Sequence, residues 1–250
     1  MSKKTVFKVA MLAGAVALAG CTDAVEEAPV APPVDETPVD PPVSDALVIL
    51  NDGSAATNFT VMVGSNSDSY NRQVLARGEG YPKTDSLQVT AKESDGVATW
   101  QVDTFSAGED GPAEVYFIVG SAENQLDLTE YQNGLLLIDL SVLVATTSET
   151  SHQIFMQTNT DAGEDYKNRQ AFYFGQAQLA DLEADGWSTV AVHMSCFSIQ
   201  DATGAFDIAK VNDLMSFDIR GNESVSYEIG KVAFEKTTTL PAGAVEWSCE

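Results

Sequence analysis

The sequence predicts an all-β fold, a two-sheet β-sandwich or jelly roll with one or two short helical turns. Three observations point there. Residues beyond about position 46 fall into short segments rich in Val, Ile, Leu, Phe, Tyr and Thr, bounded by Gly, Asn, Asp and Ser. Several segments alternate with period two: Leu136, Ile138 and Leu140 oppose Leu135 and Leu137, and Phe217 and Ile219 oppose Ser216 and Asp218. Helical signal is scarce, and the segments recur roughly every ten to fifteen residues, the rhythm of a sandwich.

In chain order the predicted strands are DALVILNDG, NFTVMVGSNSD, SLQVTAKESDG, VATWQVDTF, AEVYFIVGS, GLLLIDLSVLV, HQIFMQTNT, AFYFGQ, STVAVHMSCF, LMSFDIRG and VSYEIGKVAFEK. Two stretches, Ala177–Gly186 and Thr203–Leu214, are predicted to give a helical turn or two. In Trp187–Phe197, period two puts Trp187, Thr189, Ala191, His193, Ser195 and Phe197 on one face. Val190, Val192, Met194 and Cys196 take the other, aliphatic face. His193 and Cys196 thus point apart, which argues against a shared metal or a nucleophile–base pair.

Before the sandwich, the chain opens with a basic leader (Lys3, Lys4, Lys8) and an apolar run, Val9 to Gly20, too short to span a bilayer. The run ends in LAGC, which resembles the lipobox of bacterial lipoproteins. That likeness implies cleavage before Cys21, with lipid on its thiol and on the new amino terminus. Thr22 after the cysteine implies the outer membrane, on either its periplasmic or its cell-surface side. Residues 22–46 hold six of the nine prolines and seven acidic residues, a composition that favours an extended tether. The predicted organisation is a signal peptide over 1–20, lipidated Cys21 and tether over 21–46, a sandwich over 47–236, and a tail over 237–250.

The net charge is −24, and three units lower once the leader lysines are gone. Such a surface excludes nucleic acid, and any membrane contact would run through the lipid anchor alone. In an oxidising compartment Cys196 and Cys249, the remaining thiols, predict a disulfide. It would pin the tail to the sandwich. The sequence holds no His-Glu-x-x-His, Cys-x-x-Cys or Gly-x-Ser-x-Gly motif, and His152 and His193 are its only imidazoles. Catalysis is not expected, although plentiful carboxylates leave a glycosidase pair open on counting alone.

DGWSTVAVHMSCF, followed by FDIAKVNDLMSFDIRGNESVSYEIGKVAFE, resembles the C-terminal galactose-binding-like domain of ExoP-type exo-glucosidases, appended to family-three glycoside hydrolases. Gly186, Trp187, Val190, Val192, Met194, Cys196 and Phe197 fill that domain's G-x-W-x-x-L-x-V-P-L-x-C-F frame, with His193 in place of its proline. Asp207–Val211 match the segment after it, and Trp100 matches an earlier tryptophan position. No catalytic barrel accompanies the segment.

The resemblance implies a carbohydrate-binding-module-like sandwich that binds a polysaccharide or oligosaccharide, a β-glucan in the first instance, and that serves glycoside hydrolases of the same pathway. Trp100, Tyr116, Trp187 and His193 are the candidate sugar contacts, with Trp247, Tyr173 and Phe155 as further aromatic candidates. It also implies structural calcium (Ca2+), for which Asp52, Asp68, Glu228 and Glu235 are the candidate ligands. Loop carboxylates Asp161, Glu164 and Asp165 qualify by type. Two other expectations are an envelope interaction protein without sugar binding and a small glycoside hydrolase.

Overall fold

Each of the eleven predicted segments contains a strand in the computed structural model, which describes residues 45–94, 96–105, 113–146, 148, 151–158, 165–183, 186–201, 203–221 and 224–249. The first half of the chain gives β1 (Leu47–Asn51), β2 (Ser54–Ala55), β3 (Thr60–Ser65), β4 (Gln73–Leu75), β5 (Leu87–Ser94), β6 (Val97–Thr104), β7 (Ala113–Gly120) and β8 (Leu135–Ala145). The second half gives β9 (His152–Thr158), β10 (Arg169–Phe174), helix α1 (Gln176–Glu183), β11 (Trp187–His193), β12 (Ser198–Ile199), β13 (Val211–Gly221), β14 (Val225–Glu235) and β15 (Val245–Trp247). The leader, Cys21 and the tether lie outside the described residues.

The strands form two sheets. The first runs β15-β11-β8-β14-β1-β2, and β6 and β5 extend it from β14. β14 shares one of its edges between two partners, β1 along residues 232–234 and β6 along residues 226–229. The second sheet runs β12-β10-β9-β13-β7-β3-β4. Strand pairing is antiparallel except between β11 and β15. Neighbours far apart in sequence, such as β9 and β13, make this a folded-over sandwich rather than a meander.

Alternation explains the core. Leu136, Ile138 and Leu140 of β8, Val190 and Val192 of β11, and Ile229 and Phe234 of β14 face inward from the first sheet, all wholly buried. Val115 and Phe117 of β7, Ile154 and Met156 of β9, and Phe217 of β13 meet them from the second. An aromatic chain crosses the interior: Trp247 to Phe174 at 4.7 Å between ring centroids, Phe174 to Phe217 at 5.2 Å, and Phe217 to Tyr227 at 5.0 Å. Separations of this size suit tilted aromatic pairs.

Two local expectations change. Val211–Leu214, read as part of a helical stretch, is the start of β13. There Val211 exchanges both backbone hydrogen bonds with Leu126 (2.9 and 3.0 Å), and such pairing outweighs a weak helix pattern containing Gly204, Asn212 and β-branched residues. Phe197, read as outward-facing, is a core residue packed on Phe172. A short 3₁₀ turn at Met194–Cys196 ends β11 after His193 and resets the side-chain phase. The tail contributes a strand of its own: β15 lies along β11, Trp247 enters the core, and Cys249 bonds to Cys196.

Candidate ligand-binding groove

The outer side of the second sheet mixes polar and apolar residues, and many of the polar ones are buried. One cross-strand row reads Tyr173, Gln153, Asp218, Tyr116, Gly64 from β10 through β9, β13 and β7 to β3. The adjacent row reads Ala171, Phe155, Ser216, Ile118, Met62, Val74. Met62, Tyr116 and Ile118 form a small apolar cluster on this face, separate from the main core. Gln153, Gln157, Ser216 and Asp218 are at most 1% exposed. The face is sunk below its rim, as a groove of about 510 Å³ lined by Tyr70, Arg72, Glu114, Tyr116, Ile118, Phe155, Arg169, Gln200 and Arg220.

A charged network holds the floor. Gln153 donates to Asp218 Oδ2 at 2.7 Å, and Arg220 donates to the same oxygen from Nε at 3.1 Å. Arg220 Nη2 also reaches Glu114 Oε1 at 2.7 Å, and Tyr70 donates to Glu114 Oε2 at 3.1 Å. Arg72 donates to Asp213 at 3.1 Å. Arg169 donates to the Gln157 amide oxygen at 2.5 Å, and its guanidinium lies 4.2 Å over the ring of Phe155. Burial pushes the Asp218 carboxyl up to about 7 against the pull of Arg220, and the nearby charge of Glu114 adds to the rise. Burial likewise drives the Tyr116 hydroxyl well above the usual tyrosine range, so it stays a neutral donor.

Four buried groups here have no hydrogen-bond partner among the described residues: Tyr116 Oη, Asp218 Oδ1, Ser216 Oγ and Gln200 Oε1. Leaving such groups unsatisfied costs about 1–3 kcal/mol each, so a groove that concentrates them is set up to receive hydroxyls. The same geometry is poorly suited to acid–base chemistry. Glu114 and Asp218 are tied to one guanidinium, and Asp218 is sealed beneath the surface.

The predicted contacts do not share one place. Tyr116 lines the groove, and so does Phe155. Trp100 is 1% exposed, tilted against Phe117 and donating to the Glu79 carbonyl at 3.0 Å, so it offers no face to a ligand; its period-two position in β6 is an inward one. Trp247 is likewise a core residue. Trp187 is 40% exposed on the outer side of the first sheet, its ring seated against Gly230. His193 lies on that sheet too, 3.4 Å from Glu246.

The four predicted calcium ligands are not gathered either. Asp52 is held by Arg77 (2.8 Å) and by the Ala98 N–H (2.8 Å). Glu228 and Glu235 are seven residues apart on β14, about 23 Å at the rise of a strand. No three Asp, Glu, His or Cys side chains among the described residues group as a metal site requires. Asp161 and Glu164 lie outside the described residues.

Sequence reasoning missed Arg72, Arg169, Arg220, Glu114 and Gln200. A trace of them was legible, since Asp218 and Arg220 alternate with Phe217 and Ile219 along β13.

No protein-family model matches the chain, and no curated protein matches it. Solved structures do. The exo-1,3/1,4-β-glucanase ExoP from a Pseudoalteromonas species aligns with a TM-score of 0.55 at 14% identity, over 83% of this chain and 22% of that one. The chain therefore spans about a fifth of that glucanase. The extra C-terminal domain of the same enzyme, solved alone, aligns with a TM-score of 0.52 at 12% identity, over 81% of this chain and 98% of that one. A family 30 carbohydrate-binding module aligns with a TM-score of 0.50 at 14% identity, over 76% and 99%. The fold is that of the ExoP extra domain. The frame of Gly186, Trp187, Val190, Val192, Met194, Cys196 and Phe197 that resembled that domain spans β11, the turn after it and the residue flanking each end.

Proposed function

We propose that this domain is a non-catalytic module that binds a polysaccharide chain in the groove of its second sheet, carried at the outer membrane by lipid on Cys21. One observation carries the binding reading. Tyr116 and Gln200, whose Oη and Oε1 have no hydrogen-bond partner among the described residues, line an open groove whose floor covers Ser216 and Asp218. A sugar polymer presents the matching chemistry, dense hydroxyls on an apolar ring. The shared fold with an ExoP extra domain and a carbohydrate-binding module supports it. The anchor rests on the leader and LAGC.

Binding is tested by affinity electrophoresis of the purified protein through gels containing neutral and acidic polysaccharides. Retardation by at least one polymer, weakened by Tyr116→Ala, is expected. Unchanged mobility in every gel sinks the reading and favours a protein partner. For the anchor, labelled palmitate should enter the protein in cells and fail to enter a Cys21→Ser variant.

A further inference from the structure

The charge of the groove runs against the charge of the chain. The protein carries 37 acidic and 13 basic residues, and its four arginines are Arg72, Arg77, Arg169 and Arg220. Three of them line this groove, alongside a single lining carboxylate among the described residues, Glu114. They arrive from separate places: just before β4, the first residue of β10, and near the end of β13. Nothing in the local sequence brings them together, so the fold alone gathers them.

These side chains do more than neutralise the carboxylates beneath. Arg72 and Arg220 keep 25% and 27% of their side-chain surface exposed while they hold the buried Asp213 and Asp218. Among its contacts, Arg169 donates to the Gln157 amide oxygen and lies over the Phe155 ring. The rings, by contrast, are largely covered. Tyr116 is 8% exposed, and Phe155 is 3% exposed beneath Arg169. A neutral glucan is gripped by stacking on open ring faces. Here the surface presented over Phe155 is a guanidinium, a planar fork matched to carboxylate and to sulfate oxygens.

We propose that the ligand is an acidic polysaccharide, whose carboxylate or sulfate groups are taken by Arg72, Arg169 and Arg220, in place of the neutral β-glucan that the resemblance suggests. The proposal rests on the polysaccharide-binding reading and names the class of polymer. Tyr116, which lines the groove, then supplies a hydroxyl to the sugar between charges. Asp218, raised by burial, can keep its proton beneath an approaching anion. The long-range field of a chain at −24 repels polyanions, so capture of one reports the groove and not general electrostatics.

The test immobilises three oligosaccharides, an oligogalacturonate, a sulfated galactan oligomer and a mixed-linkage glucan oligomer, and measures binding of the full protein by interferometry in EDTA. EDTA removes any bridging cation. At least one acidic ligand should bind ten times more tightly than the glucan, and the two acidic arms separate carboxylate from sulfate. Arg169→Gln should weaken that binding about tenfold, the scale of one charge-assisted contact, while Arg169→Lys recovers part of it. The wild-type comparison decides even where a variant fails to fold. Equal or tighter binding of the glucan overturns the acidic class and leaves polysaccharide binding standing. Binding to none of the three overturns both.

Discussion

The phenol ring of Tyr116 lies against the bare backbone of Gly64: a β-carbon on Gly64 would stand 2.5 Å from the Tyr116 hydroxyl and 2.6 Å from Cε2. The two residues are register partners on β3 and β7, so the glycine is what lets the ring lie down over the neighbouring strand. A side chain at position 64 would crowd that ring and, more closely still, the Asn71 carbonyl, so both must give way.

Gly64→Ala should therefore cost about 1–3 kcal/mol of stability, the usual penalty of overpacking, and weaken ligand binding together with it. Chemical denaturation and a binding isotherm on the same variant check both. Loss of stability with full affinity would show that the Tyr116 ring is not part of the binding surface.

The tryptophans separate stability from binding. Trp100→Ala empties a fully enclosed site between the sheets and should cost about 3–5 kcal/mol. Trp187→Ala removes a ring that is 40% exposed and should cost about 1 kcal/mol or less. Because Trp187 sits on the outer face of the opposite sheet, its loss should leave groove affinity unchanged. A Trp187→Ala protein that folds normally but no longer binds polysaccharide would move the site to the first sheet.

Period two made the long strands legible because each has one apolar side to bury, as β8 shows in Leu136, Ile138 and Leu140. β2, β4 and β12 were not legible, since two or three residues display no period. β11 was read one turn too far because Met194 and Cys196 continue the alternation in sequence while the backbone leaves it. The groove was legible only by halves. Tyr116 and Phe155 could be listed as aromatic candidates, but the sequence places Trp100, Trp187 and Tyr116 on equal terms. Only sheet order decides which are covered. Arg72, Arg169 and Arg220 converge through the order β10-β9-β13-β7-β3-β4, and strand order leaves no mark on local sequence.

The Cys196–Cys249 bond closes a loop across 53 positions and fastens β15 to β11. In the chain-entropy picture such a crosslink contributes about 4 kcal/mol. A Cys196→Ser, Cys249→Ser double variant should melt well below the wild type, and reductant should lower the wild type to match it. Amide exchange at residues 245–247 should rise before exchange in β8, because β15 is an edge strand held by one neighbour. Equal melting temperatures would mean that Trp247, packed on Phe174, holds the tail without the bond.

Asp218 should make stability fall as pH rises. Its carboxyl titrates near 7 in the fold and near 3.8 as a free side chain, with burial the main cause. Between those values the folded protein keeps a proton that the unfolded chain has lost, so raising pH across that window favours unfolding. Below about 4 and above about 7 the group adds no slope. Asp218→Asn keeps the shape and removes the titration. The difference in stability between wild type and variant should thus favour the wild type more at pH 5 than at pH 8. Urea midpoints of both proteins at the two pH values read this term together with its coupling to Glu114, while carboxylates away from the groove contribute equally to each. A difference that stays constant with pH would mean that Arg220, at 3.0 Å, keeps Asp218 ionised throughout, and that the groove floor offers an anion no donor there.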